Sequence, residues 1–285
     1  MKHTTIIEPF RIKTVEPIHF NTREERNQLL KEVHYNLFGL EAQQVIIDLL
    51  TDSGTSAMSS KQWASLMQAD ESYAGSQSWT RLQEVIQKMT GFPHVFPTHQ
   101  GRAAEHILFG LIGGSGKTFI SNTFFDTTRA NVEASGATAM DCPVDPSTLN
   151  KDEKRFQGNM NLIALEEKLR TSKTPIAGVV LTVTNNSVGG QPVSMSNAVQ
   201  VKQLCRVFNI PMYLDACRIA ENAYFVKHHE PNFINYSARE IALQFFRLSD
   251  GVLMSAKKDG LVNMGGFFAT RNAQLQKQFQ NALIL

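Results

Sequence analysis

The sequence predicts an α/β protein whose mainly parallel sheet is covered by helices on both faces. From residue 94 onward, short apolar runs alternate with longer segments of helical periodicity. This alternation is typical of parallel strands joined by helical crossovers. The chain has 285 residues, of which 42% are hydrophobic and 19% charged, so it can bury a large core as one big or two modest domains.

The predicted strands are the apolar runs after residue 94, and helices fit between most of them. Strands are predicted at 94–97, 118–122, 137–144, 176–184, 211–215, 251–255 and 266–270. The clearest helices among them are predicted at 101–112, 161–172, 194–208, 236–248 and 274–283. Such an order brings the carboxyl ends of the strands to one edge of the sheet, where ligands of these folds bind.

The segment before residue 94 has a different character. Residues 1–22, which contain Pro9 and Pro17, predict an extended arm. Thr22, followed three residues later by Glu25, predicts a capping box that opens a helix. The helices predicted in this part lie at 22–35, 41–50, 59–69 and 77–90. The resulting division is an N-terminal arm with helices, 1–55, and a large domain, 56–285.

Composition argues against several classes of protein. The net charge of +2, without a long basic run, gives no support for nucleic-acid binding. Cys142, Cys205 and Cys217 form no CxxC pair, and their odd number favours a reducing compartment. The N-terminus lacks the apolar segment of a signal peptide, and no apolar run is long enough for a membrane span. We therefore expect a soluble cytoplasmic protein. We also expect no transition-metal site, since no histidines form a ligand pair.

Two short motifs resemble catalytic signatures without meeting their requirements. The segment 113–118 ends in Gly-Lys-Thr, but Leu111 occupies the position of the first P-loop glycine. The predicted helix and strand around it also come in the reverse order. The segment 255–258 has a Ser-x-x-Lys spacing, but the sequence contains neither partner motif of the penicillin-recognising enzymes. Neither nucleotide hydrolysis nor acyl transfer is therefore supported.

Polar and aromatic residues follow successive predicted strands. The segment 99–102 combines a glycine, an arginine and a helix start, which suits a phosphate group. Phe125 could stack on a planar ligand, and the segment 185–186 supplies two asparagines that could hydrogen-bond a ligand. Taken alone, each of these segments is better interpreted as an ordinary turn or core residue. Asp215 and the adjacent pair Lys257–Lys258 follow two later strands.

A lysine and an aspartate at strand ends are the two groups that pyridoxal phosphate requires of a protein. The lysine forms a Schiff base with the cofactor, and the aspartate pairs with its pyridinium nitrogen. Here an anion site, an aromatic ring, an asparagine loop, an aspartate and a lysine all fall at strand ends of one predicted sheet edge. Together these five features predict a pyridoxal-phosphate site.

Seven strings of residues resemble the tryptophanase and tyrosine phenol-lyase family, which are β-eliminating lyases on the fold-type I pyridoxal-phosphate scaffold. The strings are EPFRIK at 8–13, IDLLTDSGT at 47–55, PTHQGR at 97–102, FDTT at 125–128, GGQPVS at 189–194, ENAYF at 221–225 and SAKKD at 255–259. They follow the order of the family and extend over nearly the whole chain. The resemblance implies the large, cofactor-binding domain of that fold.

The resemblance also implies individual roles in cofactor binding. Lys258 resembles the Schiff-base lysine, Asp215 the partner of the pyridinium nitrogen, and Phe125 the ring that stacks on the cofactor. Arg218 and Asn186 resemble the residues near the 3′ oxygen of the cofactor. The implied phosphate-binding residues are Gln100, Gly101, Arg102, Ser255 and Lys257.

Further implied roles concern the reaction and the subunit interface. Tyr73 resembles a general acid near the leaving group, contributed by a neighbouring subunit. Glu71, the carbonyl of Gly54, and Asn263 resemble a monovalent-cation site at a subunit interface, which implies potassium. Because the family forms tetramers built from dimers, the resemblance implies a homo-oligomer.

The activity that the resemblance implies is β-elimination of an aromatic L-amino acid. Lys258 would take the Cα proton, and protonation through Tyr73 would release the side chain, leaving pyruvate and ammonia. Asp126, directly after the stacking phenylalanine, resembles tryptophanases and favours tryptophan as substrate and indole as product. Tyrosine phenol-lyase, cysteine desulfhydrase and aminotransferase activities are the alternatives.

The chain ends before the C-terminal small domain of that family, which carries the arginine that binds the substrate carboxylate. We therefore expect the cofactor-binding residues to be present and turnover to be weak or absent. The alternative of another class is a non-catalytic, truncated remnant of a cofactor-binding domain.

Overall fold

A computed structural model describes residues 11, 15, 17–51, 53–55 and 57–285. The chain divides into two compact units, Met1–Asp52 and Ser53–Leu285. Most of the predicted extended arm, and nearly all of the string at 8–13, lie outside the described residues. These features therefore stay predictions, as does the division into an arm and a large domain at residue 55.

In the first unit the predicted capping box is confirmed. Helix α1, Arg23–Glu32, begins after Thr22, whose hydroxyl accepts the Glu25 backbone N–H at 3.2 Å. The Glu25 carboxylate in turn accepts the Thr22 backbone N–H at 2.7 Å, so both unpaired donors are satisfied. The helix ends earlier than predicted because His34 and Tyr35 adopt left-handed backbone conformations, with φ of 53° and 60°.

The predicted helix at 41–50 is wrong. Within these described residues there is one 3-10 turn, Ala42–Gln44, followed by bends. The Asp48 carboxylate accepts the backbone N–H groups of Leu50 and Thr51 at 2.8 and 3.0 Å. A side chain that binds the N–H groups just ahead of it stabilises a turn in competition with a helix.

The described residues of the second unit form a seven-stranded sheet. Its strands are β1 (His94–Thr98), β2 (Thr118–Ser121), β3 (Thr138–Asp141), β4 (Ile176–Thr182), β5 (Met212–Asp215), β6 (Gly251–Ser255) and β7 (Gly266–Thr270). Their spatial order is β1-β7-β6-β5-β4-β2-β3. Strands β2 to β6 are parallel, and β7 runs antiparallel to both β6 and β1. The predicted, mainly parallel sheet is confirmed.

Helices fill the connections, as the alternating pattern predicts. Within the described part of the second unit they are α2 (Ser60–Met67), α3 (Gln77–Thr90), α4 (Gly101–Ile112), α5 (Asp126–Ala134), α6 (Leu162–Thr171), α7 (Met195–Val207), α8 (Ile219–His229), α9 (Ala238–Leu248) and α10 (Ala273–Ile284). The helices predicted here agree with the structure to within two residues at each end. None of the helices in the described ranges combines the length and the apolar character that crossing a membrane requires.

Each face of the sheet has its own apolar cluster, because neighbouring strand residues point to opposite faces. Ile120 and Val179 belong to a cluster that includes buried residues of α7 and α9. Phe119 and Val180, the adjacent residues on the same strands, belong to a second cluster with α4 and α10. Strands that are buried on both sides are what a parallel sheet between helical layers requires.

A largely buried ion pair lies near the amino ends of β5 and β6, opposite the edge where the predicted site residues gather. The Lys202 ammonium, on α7, contacts the Asp250 carboxylate at 2.6 Å, and their side chains are 9% and 45% exposed. The same Asp250 oxygen accepts the Met212 backbone N–H at 2.8 Å. Asp250 thus joins α7 to two neighbouring strands.

We expect Asp250→Asn to lower the free energy of unfolding by about 2 kcal/mol, because a lysine that is mostly buried loses its charged partner. Urea unfolding followed by circular dichroism measures this loss. The matched control is Glu166→Gln, which breaks an exposed pair with Arg170 that also has a contact of 2.6 Å. That exposed pair should contribute less than about 0.5 kcal/mol. Equal losses in the two variants would contradict the structural role of Asp250.

Candidate functional site

The predicted site residues gather at the edge of the sheet where its parallel strands end. Strands β1, β2, β4, β5 and β6 all end at this edge, and β7 begins there. Ser255 pairs with Gly266, and Gln100 forms an isolated bridge with Gly265. The loop after β1 and the loop after β6 are therefore neighbours, although many residues separate them in sequence.

The start of α4 lies beside a buried hydroxyl. Its N-cap residue, Gln100, makes no side-chain capping bond, and the first N–H groups of a helix have no acceptors within the helix. The Ser255 hydroxyl is buried and has no hydrogen-bond partner among the described residues. A Cβ atom added to Gly101 would lie 2.8 Å from the Ser255 Cβ, so the glycine is needed for this close approach. A phosphate would satisfy these donors, and Arg102, exposed on the same turn, adds a positive charge.

Asp215 is the buried carboxylate of the site. It ends β5, is 5% exposed, and accepts the Cys217 backbone N–H at 3.3 Å. Burial raises the pKa of the Asp215 carboxyl, while hydrogen bonds from Cys217 and then the charges of Lys258 and Arg218 act to lower it. A carboxylate in this position is suited to a cationic partner, such as a protonated ring nitrogen.

The loop that carries the two lysines is fixed by hydrogen bonds to two other segments of the chain. Lys257 and Lys258 follow β6 and are half-buried, and the Lys257 carbonyl accepts the Gly54 backbone N–H at 3.0 Å. Asp259 accepts the Ala220 backbone N–H at 2.6 Å, near the start of α8. The N-cap residue of α8, Arg218, makes no side-chain capping bond, so Asp259 supplies an acceptor for that helix end. This arrangement keeps the lysine loop close to Asp215.

The aromatic residue and the asparagine loop also meet at this edge. Phe125 is half-buried and is the N-cap residue of α5, whose first residue, Asp126, is exposed. Asn186 is half-buried in the turn that follows β4. The Ser187 hydroxyl donates to the Phe124 carbonyl at 2.9 Å, which ties this turn to the segment before α5. The predicted residues for ring stacking and for the 3′ oxygen are thus on connected loops.

The residues predicted for proton donation and cation binding are only partly brought together. In the loop between α2 and α3, Tyr73 is fully exposed and Glu71 is exposed. The Asn263 amide donates to the Gly54 carbonyl at 3.3 Å. Among the described residues, Glu71 forms no hydrogen bond with either of them. Across the described residues no group of three His, Cys, Asp or Glu side chains could hold a metal ion. These roles remain predictions.

Two residues at this edge escape the sequence patterns. Glu105, on α4, is 7% exposed, and burial together with the charge of Asp215 raises the pKa of its carboxyl to about 7. Cys217 links Asp215 to Ser255, because its sulfur accepts the Ser255 backbone N–H at 3.2 Å. The sequence could have pointed to Glu105, because it is an acidic residue on the apolar face of a predicted helix, beside Ala104 and Leu108. No such pattern points to Cys217.

Comparisons with known proteins relate most of this chain to one family. The family described as β-eliminating lyase matches residues 48–283. A tryptophanase from Salinibacter ruber is 53% identical over 281 residues, which are 99% of this chain and 60% of that protein. A tyrosine phenol-lyase from Symbiobacterium sp. is 42% identical over 281 residues, which are 98% of this chain and 61% of that protein. The chain thus spans about 60% of the length of these curated relatives.

Solved structures with low sequence identity share the fold. A putative L-allo-threonine aldolase from Listeria monocytogenes has a TM-score of 0.57 at 15% identity, covering 81% of this chain and 60% of that chain. A putative aromatic amino acid β-eliminating lyase/threonine aldolase from Exiguobacterium sp. has a TM-score of 0.54 at 14% identity, covering 80% and 60%. These two likenesses concern the fold alone. Together with the match over most of its length, the identities of 42% and 53% mean that the chain belongs to the β-eliminating lyase family.

Proposed function

We propose that this chain binds pyridoxal phosphate and serves the β-elimination of an aromatic L-amino acid, with tryptophan giving indole, pyruvate and ammonia. The observation that carries this proposal is the buried carboxylate of Asp215, on which the charge of Lys258 acts at the end of the parallel strands. The Ser255 hydroxyl, at the end of β6 and beside the start of α4, supports the proposal independently. It is buried without a hydrogen-bond partner among the described residues, and it fits a phosphate group.

The cofactor would be held by residues from five loops. Asp215 would face its ring nitrogen, Phe125 would stack on its ring, and Lys258 would bind it covalently. Arg218 and Asn186 would lie near its 3′ oxygen. The phosphate would be bound by Gln100, Gly101, Arg102, Ser255 and Lys257. When bound, pyridoxal phosphate supplies an electron sink for the negative charge that develops at the substrate Cα.

The side chains of this protein would then accept and donate the protons of the reaction. The Lys258 amine would take the proton from the substrate Cα. The Asp215 carboxylate would hold the proton on the ring nitrogen, and its burial would strengthen that interaction. Tyr73, exposed in this chain, would donate a proton to the leaving side chain from a neighbouring copy in a homo-oligomer.

Several finer features belong to the same proposal. A potassium ion would bind near the Gly54 carbonyl, Asn263 and Glu71, and the protein would act in the cytoplasm. Tryptophan is favoured as substrate because Asp126 directly follows Phe125, and because a tryptophanase is a more similar relative than the tyrosine phenol-lyase. A tyrosine or S-substituted cysteine substrate is the alternative.

We expect Lys258→Ala to abolish the absorption band, near the visible edge, of covalently bound pyridoxal phosphate. The reason is that Lys258 is the amine proposed to bind the cofactor covalently, whereas the adjacent Lys257 is proposed to bind its phosphate. The measurement is the absorption spectrum of the purified chain with added cofactor. Lys257→Ala is the neighbouring comparison and should keep the band with a weaker affinity. A band that survives in Lys258→Ala would assign the attachment to another lysine.

We expect Asp215→Asn to slow exchange of the substrate Cα proton with deuterium by at least about a hundredfold, the usual effect of removing a group that controls a proton in the transition state. A neutral amide cannot stabilise a proton on the ring nitrogen. Nuclear magnetic resonance of tryptophan in deuterated buffer measures the exchange. Asp145→Asn, in an exposed loop, is the control and should exchange at the unmodified rate. Equal rates in the two variants would remove Asp215 from the reaction.

In a form of the protein extended to the length of its relatives, we expect exchange and pyruvate release to be faster with tryptophan than with tyrosine or an S-alkyl-cysteine. The comparison uses equal concentrations of the three amino acids and follows Cα exchange, pyruvate and ammonia together. Faster reaction with tyrosine would overturn the tryptophan assignment. Formation of the keto acid of the substrate, in place of pyruvate and ammonia, would indicate an aminotransferase.

A further inference from the structure

Glu105 is a buried carboxyl group that binds the first turns of a neighbouring helix. It lies on α4, one turn after Gly101, and is 7% exposed. Its oxygens accept the Thr128 hydroxyl at 2.8 Å, the Thr127 hydroxyl at 3.2 Å and the Asn131 amide at 3.2 Å. All three donors are on α5 and uncharged, and the ion pairs formed by the described residues do not include Glu105.

The turn that Glu105 binds presents two predicted site residues. Phe125 is the N-cap residue of α5 and makes no side-chain capping bond, and Asp126 is the first helical residue. Within α5 the Asp126 carboxylate accepts the Thr127 backbone N–H, and Glu105 adds contacts to this turn from outside the helix. Asn131 reinforces the contact, because its amide also donates to the Thr127 carbonyl at 2.9 Å and to the Arg102 carbonyl at 3.4 Å. The first turns of α4 and α5 are thus fastened to each other.

The charge environment of Glu105 is that of the site. Burial is the main reason that its pKa is raised from 4.5 to about 7, and the charge of Asp215 raises it further, against the hydrogen bonds from α5. Asp215 in turn faces Lys258 and Arg218. The charged side chains of α5 are occupied elsewhere or exposed: Arg129 pairs with Asp141 and Glu133, and Asp126 is exposed.

We propose that Glu105 is a positioning residue, whose carboxyl group holds the first turn of α5 so that Phe125 and Asp126 are kept at the cofactor-binding edge of the sheet. The assignment of Phe125 and Asp126 to cofactor and substrate rests on the proposed function, whereas the contact between the helices does not. Because a glutamate titrates, the contact is sensitive to pH. A glutamine of similar shape would make a contact that does not depend on pH.

The direction of that sensitivity follows from linkage. Opening of the α5 turn exposes Glu105 to water, where its pKa returns towards 4.5 from about 7. The open state therefore binds fewer protons between these two pKa values, so opening becomes easier as the pH rises from about 4.5 to about 7 and levels off above that. Between pH 6 and pH 8 the opening equilibrium should rise about tenfold, and below pH 4.5 the dependence should disappear.

The first test is hydrogen–deuterium exchange of residues 125–131 in the chain without cofactor, corrected for the intrinsic effect of pH on exchange. Glu105→Ala should raise exchange about tenfold, since three donors lose their acceptor. Glu105→Gln should exchange like the unmodified chain at pH 6 and should lose the rise between pH 6 and pH 8. The matched control is Glu133→Gln, which removes an exposed carboxylate from the same helix and should keep that rise.

The second test is the affinity of the same four proteins for pyridoxal phosphate. Glu105→Ala should weaken binding about tenfold, and Glu105→Gln should restore it to within about threefold, because an amide oxygen still accepts the α5 donors. Unchanged exchange in Glu105→Ala, or a pH dependence that persists in Glu105→Gln, would overturn the proposal. If none of the proteins binds the cofactor, the proposed function fails, while the exchange data still decide whether Glu105 holds the α5 turn.

Discussion

The close approach of three backbone segments, at Gly101, Ser255 and Gly266, is the constraint on which the rest of the site depends. A Cβ atom on Gly266 would lie 2.5 Å from the Gly101 nitrogen, and one on Gly101 would lie within 3.0 Å of the Ser255 backbone. Side chains at either glycine would force α4 away from the ends of β6 and β7. Because both glycines lack a side chain, the first N–H groups of α4 and the buried Ser255 hydroxyl can face the same ligand.

The site combines this anion-binding corner with two buried carboxyl groups. Burial disfavours the charged form of both Asp215 and Glu105, and the charge of Asp215 adds to the effect at Glu105. Two acidic groups buried this closely destabilise a fold unless a cation or a proton compensates them. Lys258 and Arg218 provide part of that compensation for Asp215. Glu105 has uncharged donors from α5 instead, and the rise of its pKa to about 7 means that it takes up a proton more readily than an exposed carboxylate does.

Much of the fold follows from local patterns that the sequence displays directly. Strands and helices after residue 94 could be predicted because both faces of the sheet are buried, which makes each strand a continuous apolar run. The helix expected at 41–50 failed because apolar spacing does not reveal that the Asp48 carboxylate binds the backbone ahead of it. The strand-end residues, such as Asp215, could be placed at one edge by topology alone. Contacts between distant segments, such as those of Glu105 with α5, depend on how helices pack, which no local pattern encodes.

Strand β7 lies between β1 and β6, so the antiparallel partner of β1 is more than 160 residues further along the chain. Pairing of such distant segments must wait until the intervening chain has been ordered, which makes it slow in folding. Strand β1 therefore cannot gain its place in the sheet before residues 266–270 are available. The anion-binding corner needs both α4, which follows β1, and the end of β6, so it should be among the last parts of the protein to form. During synthesis, an incomplete chain would expose the edge of β6 and the start of α4 before any cofactor could bind there.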